Sequence, residues 1–504
     1  MTQTAAPQTP ADVRPWPALF ALVIGFFMIL VDLTIVTVAT PTLIDKLDAS
    51  VNQVVWVSSA YMLAYAVPVL ITGRLGDRFG SKYLYLTGLT VFTLASLWCG
   101  LTGTIEMLII ARIVQGLGAS MMTPQTMAII TRIFPQADRG KAMAVWGATA
   151  GVAMVVGPIA GGVLTDGLGW EWIFFVNVPV GVVAFVMAVL LVPALPTHEH
   201  KFDWLGVALS GVGLFLLAFG IQEGHEHHWE PWILTMIIGG VVMLTAFVYW
   251  QAKNKNEPLV PLGLFKDRNF SVSNAAITAM GAVGASMGYP LMLWAQAVRG
   301  YSPTRAALLM VPMAVMSILL AKQVGGLTDR LHPRQIMGFG FAASFVGMLT
   351  LALQLKPDAN IWLLCVSMVV IGIGNAFIWA PTAATATRNL PMHLAGAGSG
   401  VYNATRQVGS VMGSAAIAVI MDARISHHFA ELGSNVQVHG EAGAQQIKDP
   451  HVADLFSQAM SDAVWLPVLL FVIGFVAVMF YERPQHTGFA AAPGAVPAEA
   501  HSLD

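Results

Sequence analysis

Gly73-Arg74-Leu75-Gly76-Asp77-Arg78-Phe79-Gly80-Ser81-Lys82 joins two long apolar runs and packs three cations, an anion and three glycines into one short turn. Glycine permits a tight turn and close helix approach. A basic turn between apolar runs marks the cytoplasmic face of a membrane protein. The stretch recurs, degraded, as Gly325-Gly326-Leu327-Thr328-Asp329-Arg330-Leu331-His332-Pro333-Arg334. Gly73, Leu75, Asp77 and Arg78 align with Gly325, Leu327, Asp329 and Arg330. A charged turn repeated after two different apolar runs predicts a chain of two related halves.

The composition agrees with a membrane setting. Of 504 residues, 56% are apolar and 10% charged, against about 25% charged in a soluble domain. Mean hydropathy is +0.69. A soluble enzyme is excluded on this ground, and a net charge of -2 gives no sign of a nucleic-acid partner. Cys99 and Cys365 both fall in apolar runs, so no structural disulfide is expected. The first 16 residues are polar and Pro-rich. The apolar run after them is longer than a signal-peptide core, so it is expected to stay as a span.

A span needs about 20 apolar residues to cross hydrocarbon ~30 Å thick. The sequence predicts fourteen: 18–40, 52–72, 83–101, 107–130, 142–164, 172–192, 204–222, 231–250, 270–292, 304–324, 336–354, 361–383, 396–420 and 462–481. They must be helices, because irregular backbone cannot face lipid and no alternating barrel pattern is present. Lys and Arg concentrate in the loops on one side, which places both termini in the cytoplasm and the protein in a plasma membrane, the inner membrane if bacterial. The two repeated turns follow spans two and ten. The simplest account is an all-α protein of 6+2+6 spans. Its expected parts are a disordered tail 1–17, a six-helix bundle 18–192, an inserted pair with linker 193–269, a second six-helix bundle 270–481 and a disordered tail 482–504. Residues 421–461 are expected to form a long polar outer loop with some helical pattern near Val452–Ala463.

Charged residues inside spans are costly and are functional candidates by default. Asp32 sits in Ile29-Leu30-Val31-Asp32-Leu33-Thr34. Its depth is roughly 21 Å from the inner edge at 1.5 Å per residue. Arg112, on a span running the other way, lies roughly 8 Å below the outer edge. The depths agree, so the two are expected to pair, and protonation of Asp32 or competition by a cation would loosen them. Gly151, Gly157, Pro158, Gly161 and Gly162 punctuate span five as a hinge or a tight seam. Asn403, Arg406 and Gln407 form a polar cluster in span thirteen. With Met121, Met292 and Trp294 they are candidates for lining a cavity. Lys322 is expected to reach the headgroups. His225-Glu226-His227-His228 matches no metal spacing, so no metal is expected, and no Walker loop, HExxH or nucleophile elbow is present. No cofactor is expected.

These residues resemble the signatures of the major facilitator superfamily. The 73–82 turn is similar to its loop 2–3 signature, and Ile110-Ala111-Arg112-Ile113-Val114-Gln115-Gly116 to its span-four signature. Gly157-Pro158-x-x-Gly161-Gly162 resembles the span-five signature of antiporters. Fourteen spans and Trp172-Ile173-Phe174-Phe175-Val176-Asn177-Val178-Pro179 are similar to the 14-span drug:proton antiporter-2 branch. The resemblance covers residues 18 to 481. It implies a proton-coupled multidrug exporter of hydrophobic, often cationic compounds, acting as a monomer by alternating access. It implies that Asp32 and Arg112 couple protons. It also implies a latch of Gly73, Gly76, Asp77, Arg78, Asp329 and Arg330, with Asp77 facing the start of span thirteen near Gly396. Thr37, Ser81 and Glu171 depart from the usual Asn, Arg and Arg. Spans ten and thirteen hold no acid, which favours monocationic or neutral amphiphiles over dications. A dedicated metabolite or lipid exporter on the same fold is the alternative; a sensor or assembly protein without transport is a third reading.

Overall fold

The computed structural model describes residues 14–49, 51–197, 203–224, 227, 229–254, 258–328, 330–390, 394–429 and 447–483. Within them the chain is helical and forms no strand. The helices are α1 (Pro15–Lys46), α2 (Val51–Ala66), α3 (Val69–Phe79), α4 (Ser81–Gly100), α5 (Ile105–Ile133), α6 (Gln136–Gly167), α7 (Trp172–Phe175), α8 (Asn177–Leu191), α9 (Trp204–Glu223) and α10 (Pro231–Lys253). They continue with α11 (Arg268–Ser286), α12 (Gly288–Ala297), α13 (Pro303–Leu308), α14 (Val311–Thr328), α15 (Pro333–Gln354), α16 (Ile361–Ala376), α17 (Trp379–Arg388), α18 (Ala395–Phe429) and α19 (Pro450–Val478). Thirteen stretches are long and apolar enough to cross a membrane, and the α2–α3 pair, bent by 45°, makes fourteen.

Proline explains where spans break. Its ring clashes with the carbonyl four residues earlier and it donates no hydrogen bond. The interruptions between α11 and α12, α13 and α14, and α16 and α17 each fall within one residue of that position before Pro290, Pro312 and Pro381. The α2–α3 bend sits at Val67-Pro68.

Glycine contacts show that the two halves repeat. Gly88 of α4 packs on the carbonyl of Gly118 in α5, and Gly340 of α15 packs on that of Gly374 in α16. Gly116 lies on the carbonyl of Tyr61, and Gly372 on that of Met313. The halves meet where α3 and α5 touch α18, and where α6 touches α14 and α17. α9 and α10 pack chiefly on each other, with α9 also against α2 and α18.

One expectation is corrected. Within the 421–461 segment α18 runs on to Phe429 and α19 starts at Pro450, so its two ends are helix rather than loop. The polar residues that end the hydropathic signal pair with one another instead, Asp462 meeting Arg424 at 3.6 Å and His428 at 3.1 Å. Asp449 caps α19 through the N–H groups of His451 and Val452. Residues 430–446, the tails 1–13 and 484–504, Asp329, His225, Glu226 and His228 lie outside the described residues.

Candidate functional site

Asp32 on α1 is fully buried, and among the described residues its ion-pair and hydrogen-bond partners come from the first half. Arg112 on α5 forms an ion pair with its Oδ2. Gln115, one turn further along α5, donates from Nε2 to Oδ1 at 2.8 Å. Asn177, at the start of α8, donates to the same oxygen at 3.2 Å and to Ser96 Oγ at 3.0 Å. Arg112 is held in turn. It donates to Gln115 Oε1 at 2.7 Å and to the Val57 carbonyl at 3.0 Å, and its guanidinium lies 4.1 Å from the Tyr61 ring centre. Cys99 donates weakly to Gln115 Oε1 at 3.7 Å. A buried charge with three donors is a satisfied one. Any proton reaching Asp32 must displace part of this network.

α1 and α6 pack closely beside Asp32. A Cβ on Gly157 would stand 1.9 Å from Thr34 Oγ1 and 3.2 Å from the Val31 carbonyl, so only glycine lets α6 lie this near. Gly151 faces Ser317 of α14 at ordinary contact distance. Pro158 is half-buried, Gly161 and Gly162 are buried, and α6 runs through all five positions as one helix.

A second charged centre lies at the end that carries the repeated turns. Asp77 is fully buried, pairs with Arg132 of α5 at 2.6 Å, and accepts from the N–H groups of Gly396 at 3.2 Å and Ala397 at 3.1 Å. It thus caps the N-terminus of α18 from the other half of the chain, where the helix dipole favours an anion. Gly73 makes the approach possible, since a Cβ there would lie 2.8 Å from the Gly396 carbonyl oxygen. Gly76 packs under Gln125. Gly325, the repeat of Gly73, packs against Gly140 and Lys141 at the start of α6 in the same way. Arg139 reaches the Thr387 carbonyl at 3.4 Å across the same junction. The two halves are closed against each other at this end.

Arg78 does not belong to this centre. It is exposed and lies over the Phe79 ring, because the last turn of α3 points it away from α5. Arg330 is exposed as well. The cation for Asp77 is Arg132, which the sequence reading missed. The repeated pattern Thr131-Arg132-x-x-Pro135 and Thr387-Arg388-x-x-Pro391 at the ends of α5 and α17 was the available signal. Gln115 and Asn177 were inside quoted motifs but carried no charge to draw attention. Arg74 was also missed: it is buried and donates to the carbonyls of Pro258 and Leu259 in the linker before α11.

The span-thirteen cluster is buried. Asn403 donates to the Ser399 carbonyl at 2.9 Å, Arg406 donates to Tyr65 Oη at 3.1 Å, and Gln407 lies beside α9 in a narrow apolar gap. Met121 and Met292 are half-buried. Trp294 does not line a cavity: it is fully buried and its indole N–H donates to Ser457 of α19 at 3.2 Å. Its size drew it into the core of the second half. Lys322 is exposed, and His227 meets Glu223 at 3.6 Å.

The sequence profile of the Major Facilitator Superfamily matches residues 22–414. The chain belongs to that superfamily. An MFS-type transporter of Mycobacterium tuberculosis is 50% identical over 488 residues, 96% of this chain and 83% of the relative. The tetracenomycin C resistance and export protein of Streptomyces glaucescens is 31% identical over 423 residues, 83% of this chain and 78% of the relative. The multidrug export protein EmrB of Escherichia coli is 28% identical over 491 residues, 93% and 95% of the two chains. Two solved structures share the fold at a TM-score of 0.62. The human organic anion transporter MFSD10 is 12% identical and matched over 91% of this chain and 100% of its own. The proton:xylose symporter XylE is 14% identical, over 92% and 94%. This major facilitator chain is a multi-pass membrane protein, and family and fold point to a transporter rather than an enzyme.

Proposed function

We propose that this major facilitator protein exports hydrophobic, often cationic small molecules in exchange for protons. The carrying observation is Asp32: one buried acid in mid-span, held by Arg112, Gln115 and Asn177. The relatives named for multidrug export and for tetracenomycin C export support the reading. Asp32 takes the proton, which weakens its attraction to Arg112 and frees Gln115 and Asn177 to reorient. Binding of substrate and release of the proton reverse the change. The halves 18–192 and 270–481 rock against each other, with the 204–250 pair between them. The Asp77 centre holds them closed at the cytoplasmic end, on the side of both termini. The protein acts as a monomer in the plasma membrane, the inner membrane if bacterial, with no metal or cofactor.

A second reading keeps the fold and narrows the cargo to one metabolite or lipid. It draws support from relatives of comparable identity named for single compounds, tetracenomycin C and riboflavin. A panel of unrelated amphiphiles separates the two, since a dedicated exporter moves one chemical class.

The test of the main reading uses proteoliposomes under an imposed pH gradient, with a fluorescent lipophilic cation. Dye movement and proton flux are followed together. Coupled fluxes in the wild type that vanish in Asp32→Asn are the expected result. Coupling that survives the substitution removes Asp32 from the mechanism.

A further inference from the structure

The buried charges in the middle of the bundle do not balance. Among the described residues they are Asp32, Arg112 and Arg406. Arg406 lies roughly 16 Å along α18 from its start, taking 1.5 Å per residue. Asp32 and Arg112 neutralise each other. Arg406 has no carboxylate within ion-pair distance among the described residues. Among the described residues its side chain donates from Nη2 to Tyr65 Oη, and the Tyr65 hydroxyl donates in turn to Thr123 Oγ1 at 3.1 Å. Among the described residues the Nε of Arg406 is buried without a partner, and so are Tyr402 Oη and Asn403 Oδ1 close by on the same helix. Arg406 is 9% exposed.

A buried guanidinium without a counterion is expensive, and such a group inside a span is a functional candidate by default. The orphaned donors and acceptor say what is missing: a group that accepts from a guanidinium and a phenol. A cation finds the opposite situation. The Asp32 carboxylate is already engaged by three side chains, so no mid-span acid among the described residues is free to receive it.

We propose that Arg406 receives the acidic group of an amphiphilic substrate, a carboxylate, sulfonate or phenolate, with Tyr402 as a second donor. The assignment rests on the exporter reading and sets a preference for monoanions among the hydrophobic compounds it exports. It also supplies a link to conformation. Tyr65 belongs to the first half and Arg406 to the second, so an anion on Arg406 competes with a contact that bridges the two.

The experiment uses the full-length protein in nanodiscs and two naphthalene probes of matched size, a naphthalenesulfonate and a naphthyltrimethylammonium. Equilibrium binding is measured for the wild type, Arg406→Gln and Arg406→Lys. The wild type is expected to prefer the sulfonate. Arg406→Gln is expected to weaken sulfonate binding by about ten- to a hundredfold, the value of a hydrogen bond to a charged group, and to leave the ammonium probe unweakened. Arg406→Lys is expected to keep the preference in part. A sulfonate-to-ammonium ratio that stays within about twofold in Arg406→Gln, or a wild type that prefers the ammonium, overturns the assignment. If Arg406→Gln fails to fold, Tyr65→Phe serves. It leaves the charge and removes its neighbour, so sulfonate binding is expected to hold or rise, and loss of the preference overturns the assignment. Proton-driven transport of the two probes is read separately. A sulfonate preference without transport keeps Arg406 and sinks the exporter reading. Proton-driven transport with no effect of Arg406→Gln on either probe does the reverse.

Discussion

Gly73→Ala should open the charged-turn end of the molecule. The new Cβ would stand 2.8 Å from the Gly396 carbonyl oxygen and 3.1 Å from Gly400 Cα. Both are backbone, so neither can swing aside. Ordinary carbon contacts begin near 3.5 Å, so α3 and α18 must part by roughly 0.7 Å. That movement takes the Asp77 bonds to the N–H groups of Gly396 and Ala397, now 3.2 and 3.1 Å, beyond hydrogen-bond reach. Each bond to an ionised carboxylate is worth about 1.5–3 kcal/mol, so the closed state loses about 3–6 kcal/mol. A population closed at about 99:1 then becomes at least half open. The assay is double electron–electron resonance between spin labels at the exposed positions Arg78 and Arg330, in a Cys365→Ser background. The distance distribution should shift to longer values in Gly73→Ala. Adding Asp77→Asn should produce little further change, because the contact it removes is already broken. An unchanged distribution in Gly73→Ala, or full additivity of the two substitutions, would refute the reasoning.

The roles of the two cations near Asp77 can be separated by melting. Arg132→Gln strands a buried carboxylate and should cost about 3–5 kcal/mol, whereas Arg78→Gln should leave the transition near that of the wild type; equal losses would contradict the assignment. Asp203 predicts a pH dependence in the inserted pair. Burial pushes its carboxyl up, but donors from Gly206, Trp250, Gln251 and Asn254 outweigh this and hold it below the ordinary carboxylate value. Its support for the start of α9 is therefore complete above about pH 4, the unfolded aspartate value, and is lost as pH falls through the lower folded value. Hydrogen exchange at the first turn of α9 should speed up in that acid range, and Asp203→Ala should show the fast rate at every pH.

How much of this was readable in advance depended on what each residue signals alone. The spans were legible because hydropathy is a local property and lipid forces a helix. Asp32 and Arg112 were legible because a charge within an apolar run is rare and two such charges at equal depth invite pairing. Gln115 and Asn177 were not, since a neutral amide declares a partner only when three helices have been brought together. The family resemblance places Arg78 in the latch with Asp77. The turn of α3 places it on the far side, and the cation that reaches Asp77 arrives from 55 residues away. The helical ends of the 421–461 segment were only partly legible for a related reason. Polar residues end a hydropathic signal, but two helix ends can neutralise each other through Asp462, Arg424 and His428 and continue.

The repeat itself separates what packing requires from what charge adds. Gly116 and Gly372 occupy the same place in the two halves, each pressed on a backbone carbonyl of the neighbouring helix, of Tyr61 and Met313. One residue before each stand Gln115 and Ile371; four before stand Arg112 and Met368. Ile371 and Met368 are fully buried among apolar neighbours. The second half therefore keeps the glycine that sets helix distance and replaces the charged network by core. Packing constrains both halves alike, because a Cβ at either glycine meets backbone. A second buried ion pair would add desolvation cost. What the second half adds instead is Arg406, one cation without a counterion, facing Tyr65 of the first. On the proposed reading the halves divide the work: the first holds the proton and the second holds the charge of the cargo. The contact between Tyr65 and Arg406 is where occupancy of one is felt by the other.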